Sequence, residues 1–144
     1  MTKISKNFKK EIVVKSSTDN LSRVRDFTKS AAENIGFSQD AIGKIILAVD
    51  EACTNVIKHA YKYSAEGVIS VSVNFKKPKF VISITDEGTH FDPELIPEPD
   101  IKEYHKQKKV GGLGMFLMKK LMDEVKYKNL SDNRNQVILV KYLQ

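Results

Sequence analysis

Two helix-patterned segments run back to back between Leu21 and Ala60, with strand-patterned segments before and after them, and that order excludes a chain built by regular β-α alternation. From Leu21 to Ile35 the apolar residues Leu21, Val24, Phe27, Ala31 and Ile35 recur at three- and four-residue spacing, and Gly36 follows as a C-terminal stop. Ser38 is placed to cap a second helix over about Gln39 to Ala60, where Ile42, Ile45, Ile46, Val49, Cys53, Val56 and Ala60 form one apolar stripe. Ahead of both helices, Phe8 to Val14 reads as a strand, and Ser16-Ser17-Thr18-Asp19 supplies stop and N-cap chemistry. Beyond them, Val68 to Phe75 and Phe80 to Thr85 alternate with period two, joined by a hairpin turn at Lys76-Lys77-Pro78-Lys79.

Between Asp86 and Val110 periodicity disappears, and Pro93, Pro97 and Pro99 break any helix. A loop longer than ~12–15 residues inside a compact domain is usually functional or disordered. After Gly111-Gly112-Leu113-Gly114, the residues Met115, Met118, Leu121, Met122 and Val125 mark a final helix whose end runs into a strand-like stretch, Val125 to Asn129. Ser131-Asp132-Asn133 then turns the chain into a last strand, Gln136 to Leu143. The order β-α-α-β-β-loop-α-β-β predicts an α+β fold, a two-layer α/β sandwich. At 144 residues the expectation is a single domain, residues 1–144.

An apolar fraction of 41% with 29% charged residues fits a soluble globular chain. No apolar stretch approaches the ~18 residues that span a bilayer, because Lys44 interrupts the longest candidate, Ala41 to Val49. The lysine-rich start, Met1 to Lys10, has no apolar region behind it, so a cytoplasmic location is expected, with no membrane partner. A single cysteine, Cys53, excludes an internal disulfide and a cysteine-rich zinc site. The net charge of +6 comes almost wholly from lysine, since Arg23, Arg25 and Arg134 are the only arginines. Without an arginine patch or an aromatic-studded basic strand, direct nucleic-acid binding is not expected.

The chain has no G-x-x-x-x-G-K-[ST] loop and no G-x-S-x-G elbow, and the glycines at 111, 112 and 114 fail the dinucleotide pattern. His59, His90 and His105 show no metal-ligand spacing. Three features remain. Glu51 and Asn55 stand one helical turn apart, with His59 a further turn along, in a row roughly opposite Ile42, Val49 and Val56. That row reads either as a solvated face or as a carboxylate for proton transfer beside an amide oxygen for a hard cation. Asp86-Glu87-Gly88 ends a strand: it is either a turn, or a carboxylate that accepts from an adenine amino group beside a glycine that admits close approach. Gly111-Gly112-Leu113-Gly114, behind Lys106, Lys108 and Lys109, opens a helix and is either a turn or an anion site.

Taken in order, three boxes closely resemble the anti-sigma factor serine/threonine kinase family. They are Leu47-Ala48-Val49-Asp50-Glu51-Ala52-Cys53-Thr54-Asn55-Val56-Ile57-Lys58-His59-Ala60-Tyr61, then Asp86-Glu87-Gly88-x-x-Phe91-Asp92-Pro93, then Gly111-Gly112-Leu113-Gly114-Met115-x-Leu117. That family belongs to the GHKL group of ATPases, also called histidine-kinase-like, which includes gyrase and histidine-kinase ATP domains. The resemblance covers about Phe8 to Leu143 and extends to Met122-Asp123-Glu124-Val125.

The resemblance implies helices packed on one face of a mixed, mostly antiparallel sheet, with ATP and Mg²⁺ held under a lid over about residues 92–110. Carried across, Asn55 resembles the Mg²⁺ ligand, Glu51 the residue that polarises the attacking hydroxyl, Asp86 the adenine-reading aspartate and Gly88 its companion. Gly112, Leu113 and Gly114 fall at the phosphate-binding glycines. His59 is as consistent with packing as with ligand contact, and Cys53 and the methionines of the last helix read as core. Relatives often place an arginine in the lid, and this lid has none; Lys108 or Lys109 would stand in as point charges. The implied activity is an ATP-dependent serine/threonine protein kinase and anti-sigma factor, a homodimer that sequesters a sigma factor and phosphorylates a STAS-type anti-anti-sigma protein. The alternative is a nucleotide-dependent partner-switching module without phosphotransfer.

Overall fold

A computed structural model of the chain describes residues 7–90, 114–130 and 132–144, with the backbone alone described for 114–117. Strand β1 (Phe8–Lys15) leads through a 3₁₀ turn, Thr18–Asn20, into helices α1 (Leu21–Ile35) and α2 (Gln39–Asn55). The winding then loosens to a π turn over Val56–Ala60 before β2 (Val68–Lys76) and β3 (Lys79–Asp86) form a hairpin. Helix α3 (Gly114–Leu121), β4 (Glu124–Asn129) and β5 (Asn135–Tyr142) complete the chain.

Local chemistry sets these ends. Gly36 closes α1 in the left-handed region, φ 104°, donating its N–H to Ala32 and Glu33 carbonyls. The Ser38 hydroxyl accepts from the Ala41 N–H and caps α2. Met122 and Asp123 separate α3 from β4, so Val125 belongs to the strand rather than to the helix its spacing suggested. The difference is physical: the Asp123 N–H pairs with the Val140 carbonyl and the Asp123 carboxylate accepts from the Tyr142 N–H, which draws the chain into the sheet.

The five strands run in the order β1-β2-β3-β5-β4. A mixed, mostly antiparallel sheet was expected, and all the described pairings are antiparallel. One face carries the alternate residues Ile69, Val71, Val73 and Phe75 of β2, Phe80, Ile82 and Ile84 of β3, and Val137 and Leu139 of β5. Against them pack Val24, Ala31 and Ile35 of α1, Ile42, Ile45, Val49, Ala52 and Cys53 of α2, and Met118 of α3. The helices therefore form one layer and the sheet the other. No described helix is long and apolar enough to cross a membrane.

Candidate functional site

Asp86 continues the helix-facing side of β3 after Phe80, Ile82 and Ile84, so the pleat places a carboxylate where an apolar side chain would otherwise pack. It is 2% exposed. The Gly88 N–H (2.9 Å) and the Asn135 amide (2.8 Å) both donate to its Oδ1. Burial pushes the carboxyl pKa up, while the hydrogen bonds from Asn135 and Gly88 and the nearby His90 pull it down. Asn135 stands opposite Asp86 in the ladder, with Asn129 opposite Asn135 on the far side, so three short polar side chains line one end of the sheet. The same Asn135 amide donates to the Gly88 and Thr89 carbonyls at 3.3 Å, and its Oδ1 pairs with His90 Nδ1.

The end of α2 closes over this row. Asn55 is 8% exposed, and its buried Nδ2 meets no hydrogen-bond partner among the described residues. A buried donor left open in this way points to a partner outside the described residues. In the π turn that follows, the Tyr61 N–H reaches the Val56 carbonyl, and the Ala60 carbonyl accepts from the Thr89 N–H at 2.8 Å. Gly88 lies hard against that carbonyl: a Cβ there would sit 2.5 Å from the Ala60 oxygen. The Tyr61 hydroxyl accepts from the Glu87 N–H (2.8 Å) and donates to the Val68 carbonyl (2.6 Å). The segment that follows Asp86 is thus tied to the end of α2 by backbone and side chain together.

Between α2 and the strand ends lies a cleft of about 360 Å³, counting the space open to solvent. Ala52, Asn55 and Val56 wall one side, and Asp86, Asn129 and Asn135 the other. Glu51 sits one turn back from Asn55 and is half-buried. Burial, and then the charge of Asp50, raise its pKa, with Lys58 opposing. Asp50 itself holds Arg25 of α1 at 2.6 Å. His59 is largely exposed, and partial burial followed by Lys58 lowers its pKa.

The structure brings Asn55, Asp86 and Gly88 together, with Glu51 adjacent on α2. The solvated-face reading fails for Asn55, because Ala52 also faces the core and lies about 60° from Asn55 around the helix, which carries the buried arc to the amide. Gly114 begins α3, as a glycine box at a helix start requires. Lys108, Lys109, Gly112, Leu113 and the lid over 92–110 lie outside the described residues. Cys53, Met118 and Met122 are core. Sequence reasoning missed Asn135, Asn129 and Tyr61. For Asn135 the signal was present: counting back by two from Leu139 and Val137 places an amide on the buried face.

Among the described residues no three His, Cys, Asp or Glu side chains gather to hold a metal. The open buried N–H of Asn55 suits an acceptor such as a phosphate oxygen, and the amide oxygen of the same side chain is the atom suited to a hard cation.

The histidine kinase-like ATPase domain matches residues 14–141 of the chain. A serine-protein kinase RsbW from Listeria monocytogenes is 38% identical over 116 residues, covering 78% of this chain and 73% of its own length. The serine-protein kinase RsbW of Bacillus subtilis is 33% identical over 138 residues, covering 92% and 84%. Among solved structures, the RsbU and RsbW domains of a Mycobacterium tuberculosis protein superpose with a TM-score of 0.64 at 16% identity, over 93% of this chain and 32% of that longer one. The SiaB–SiaC complex from Pseudomonas aeruginosa gives a TM-score of 0.57 at 13% identity, over 93% and 89%. A buried aspartate at a strand end, an asparagine on the facing helix and these matches make the chain a member of the histidine kinase-like ATPase family, in its group of RsbW-type serine-protein kinases.

Proposed function

We propose that this chain is an ATP-dependent serine/threonine protein kinase and anti-sigma factor of the cytoplasm, acting as one domain that sequesters a sigma factor and phosphorylates a STAS-type anti-anti-sigma protein. The observation that carries this reading is that Asn55 and Asp86, from separate sequence boxes, are both buried and wall one cleft from opposite sides. The relatives from Listeria monocytogenes and Bacillus subtilis, both serine-protein kinases, support the serine-kinase assignment.

Bound ATP with Mg²⁺ supplies the terminal phosphoryl group and the divalent charge that offsets its oxygens. Asp86 accepts from the base amino group through the oxygen its own protein donors leave open. Asn55 offers its amide oxygen to the cation and its open N–H to a neighbouring oxygen. Glu51 takes the proton of the attacking hydroxyl; its burial-raised pKa makes it a stronger base than an exposed glutamate. Gly112, Leu113 and Gly114 would hold the phosphate oxygens, and Lys108 and Lys109 would add charge there. A second reading, nucleotide-gated partner switching without phosphotransfer, is favoured by the absence of arginine between Phe91 and Leu113.

Incubation with Mg-ATP and candidate STAS proteins, followed by phosphoserine and phosphothreonine analysis, separates the two readings. Transfer that Asn55→Ala abolishes together with Mg²⁺-dependent ATP affinity is the expected result. Tight Mg-ATP binding and partner capture without any transfer would leave the switching module.

A further inference from the structure

We propose that the row Gly43, Leu47 and Glu51 on the outer side of α2 is the docking track for the protein that receives the phosphoryl group, with Leu47 as an apolar anchor and Gly43 as the point where that protein lies directly on the helix backbone. The proposal rests on the reading of Glu51 as the residue that meets the acceptor hydroxyl, and it names the surface on which the acceptor sits.

Gly43, Leu47 and Glu51 follow one another at four-residue steps, so they form one row along the helix. Ile45 and Val49, on the far side, are buried, whereas Leu47 is 43% exposed, the only large apolar side chain of a helix left so open among the described residues. A lone exposed leucine needs no explanation. Its neighbour in the row does. Gly43 lies in the interior of α2, where alanine is the better helix former. Among the described residues a Cβ there would meet nothing within 4 Å, and Gly43 has no left-handed φ. Neither packing nor backbone conformation therefore calls for a glycine, and what its missing side chain provides is bare helix backbone open to close approach from outside.

The charges beside Leu47 are already matched. Lys44 pairs with Asp40 at 3.1 Å, and Asp50 pairs with Arg25 of α1 at 2.6 Å. The patch is thus apolar at its centre with offset charges around it, the make-up of a protein contact rather than of a phosphate or nucleic-acid site. One turn of helix rises about 5.4 Å, so Leu47 and Gly43 stand roughly 5 and 11 Å from Glu51 along α2. A protein that brings a serine or threonine hydroxyl to Glu51 from this side covers both, and the fit calls for an apolar side chain at that distance from its hydroxyl.

The test is transfer from Mg-ATP at varied concentrations of the STAS-type acceptor, for the wild type, Leu47→Ala, Gly43→Ala and, as a control, Val13→Ala, which removes an exposed apolar side chain from β1. Calorimetric ADP titrations and thermal melts accompany each. We expect Leu47→Ala to raise KM for the acceptor about tenfold or more and Gly43→Ala about threefold or more, with kcat at saturating acceptor and ADP affinity unchanged. Gly43→Ala should melt at or above the wild type, so that its weaker docking cannot come from lost stability. Val13→Ala should keep the wild-type KM. Acceptor KM unchanged in Leu47→Ala and Gly43→Ala overturns the proposal. So does a rise in KM matched by an equal loss of ADP affinity, which would tie the row to the nucleotide site, or an equal rise in Val13→Ala. A wild type that transfers to no STAS protein overturns instead the kinase reading, a result seen before any variant is made.

Discussion

Replacing Gly88 with alanine tests whether the packing between β3 and α2 maintains the site. The added Cβ would lie 2.5 Å from the Ala60 oxygen, 2.6 Å from its carbonyl carbon and 2.8 Å from its Cβ. Comfortable carbon contacts need about 3.5 Å or more, so the segment must retreat by roughly 1 Å. That movement stretches the Thr89 N–H to Ala60 bond from 2.8 Å to about 3.8 Å, which is no longer a hydrogen bond. It also pulls the Gly88 N–H from Asp86 Oδ1. A lost neutral bond contributes about 0.5–1.5 kcal/mol and one to a charged group about 1.5–3, so a total of about 2–4.5 kcal/mol follows. For a chain of this length, about 2–4 °C of melting temperature per kcal/mol gives a fall of roughly 5–15 °C. ADP affinity should drop with it, because Asp86 loses one of its two clamps. Gly43→Ala is the matched control, since a Cβ there meets nothing within 4 Å and a helix-interior alanine should be neutral or stabilising by up to about 1 kcal/mol. Circular-dichroism melts with calorimetric ADP titration read both variants. A Gly88→Ala protein that melts within a degree of wild type and binds ADP equally refutes the tight coupling.

Glu51→Gln should keep nucleotide binding and lose phosphotransfer. Because burial raises the Glu51 pKa in the folded state, its ionised form opposes folding above the ordinary carboxylate value, so the variant should melt higher at neutral pH and lose that advantage on acidification; an advantage that grows in acid contradicts the assignment. Tyr61→Phe removes an acceptor from the Glu87 N–H and a donor to the Val68 carbonyl, and should cost about 1–3 kcal/mol in urea unfolding with a weaker ADP affinity; an unchanged midpoint would show those groups re-paired. Cys53 is fully buried and its thiol is pushed up to about 12 by burial, so a thiol reagent at pH 8 should label it only after unfolding. Fast labelling of native protein would disprove its place in the core.

Much of the layer order was legible because the periods are strong: Leu21 to Ile35 reads as the helix it is, and the hairpin at Lys77-Pro78 falls where the alternation breaks. The candidate site was legible as residue types in sequence boxes, but its burial was not. Asn55 looked solvated because large apolar side chains mark a stripe more visibly than Ala48 and Ala52, which are small and fully enclosed. Asn135 was overlooked because it opens β5 next to turn residues; the alternation puts it on the buried face, but its pairing with Asp86 comes from the strand register. Such pairing is set by tertiary contacts and is not encoded locally. The π turn after Asn55 lay equally out of reach, since helical and π windings share the same apolar spacing over five residues.

Asp86 and Asn135 meet across 49 residues of chain, on the third and the last strands. Contacts so distant in sequence form late, after the entropy of closing the intervening chain has been overcome. During synthesis, the Asp86 end of the cleft therefore has no second wall until the final strand has emerged and docked between β3 and β4. A chain stalled before Asn135 holds Asn55 and Asp86 yet lacks the strand that walls their cleft. A ligand that binds only the finished pocket adds its binding free energy to the last folding step, so nucleotide present during synthesis favours β5 docking in register.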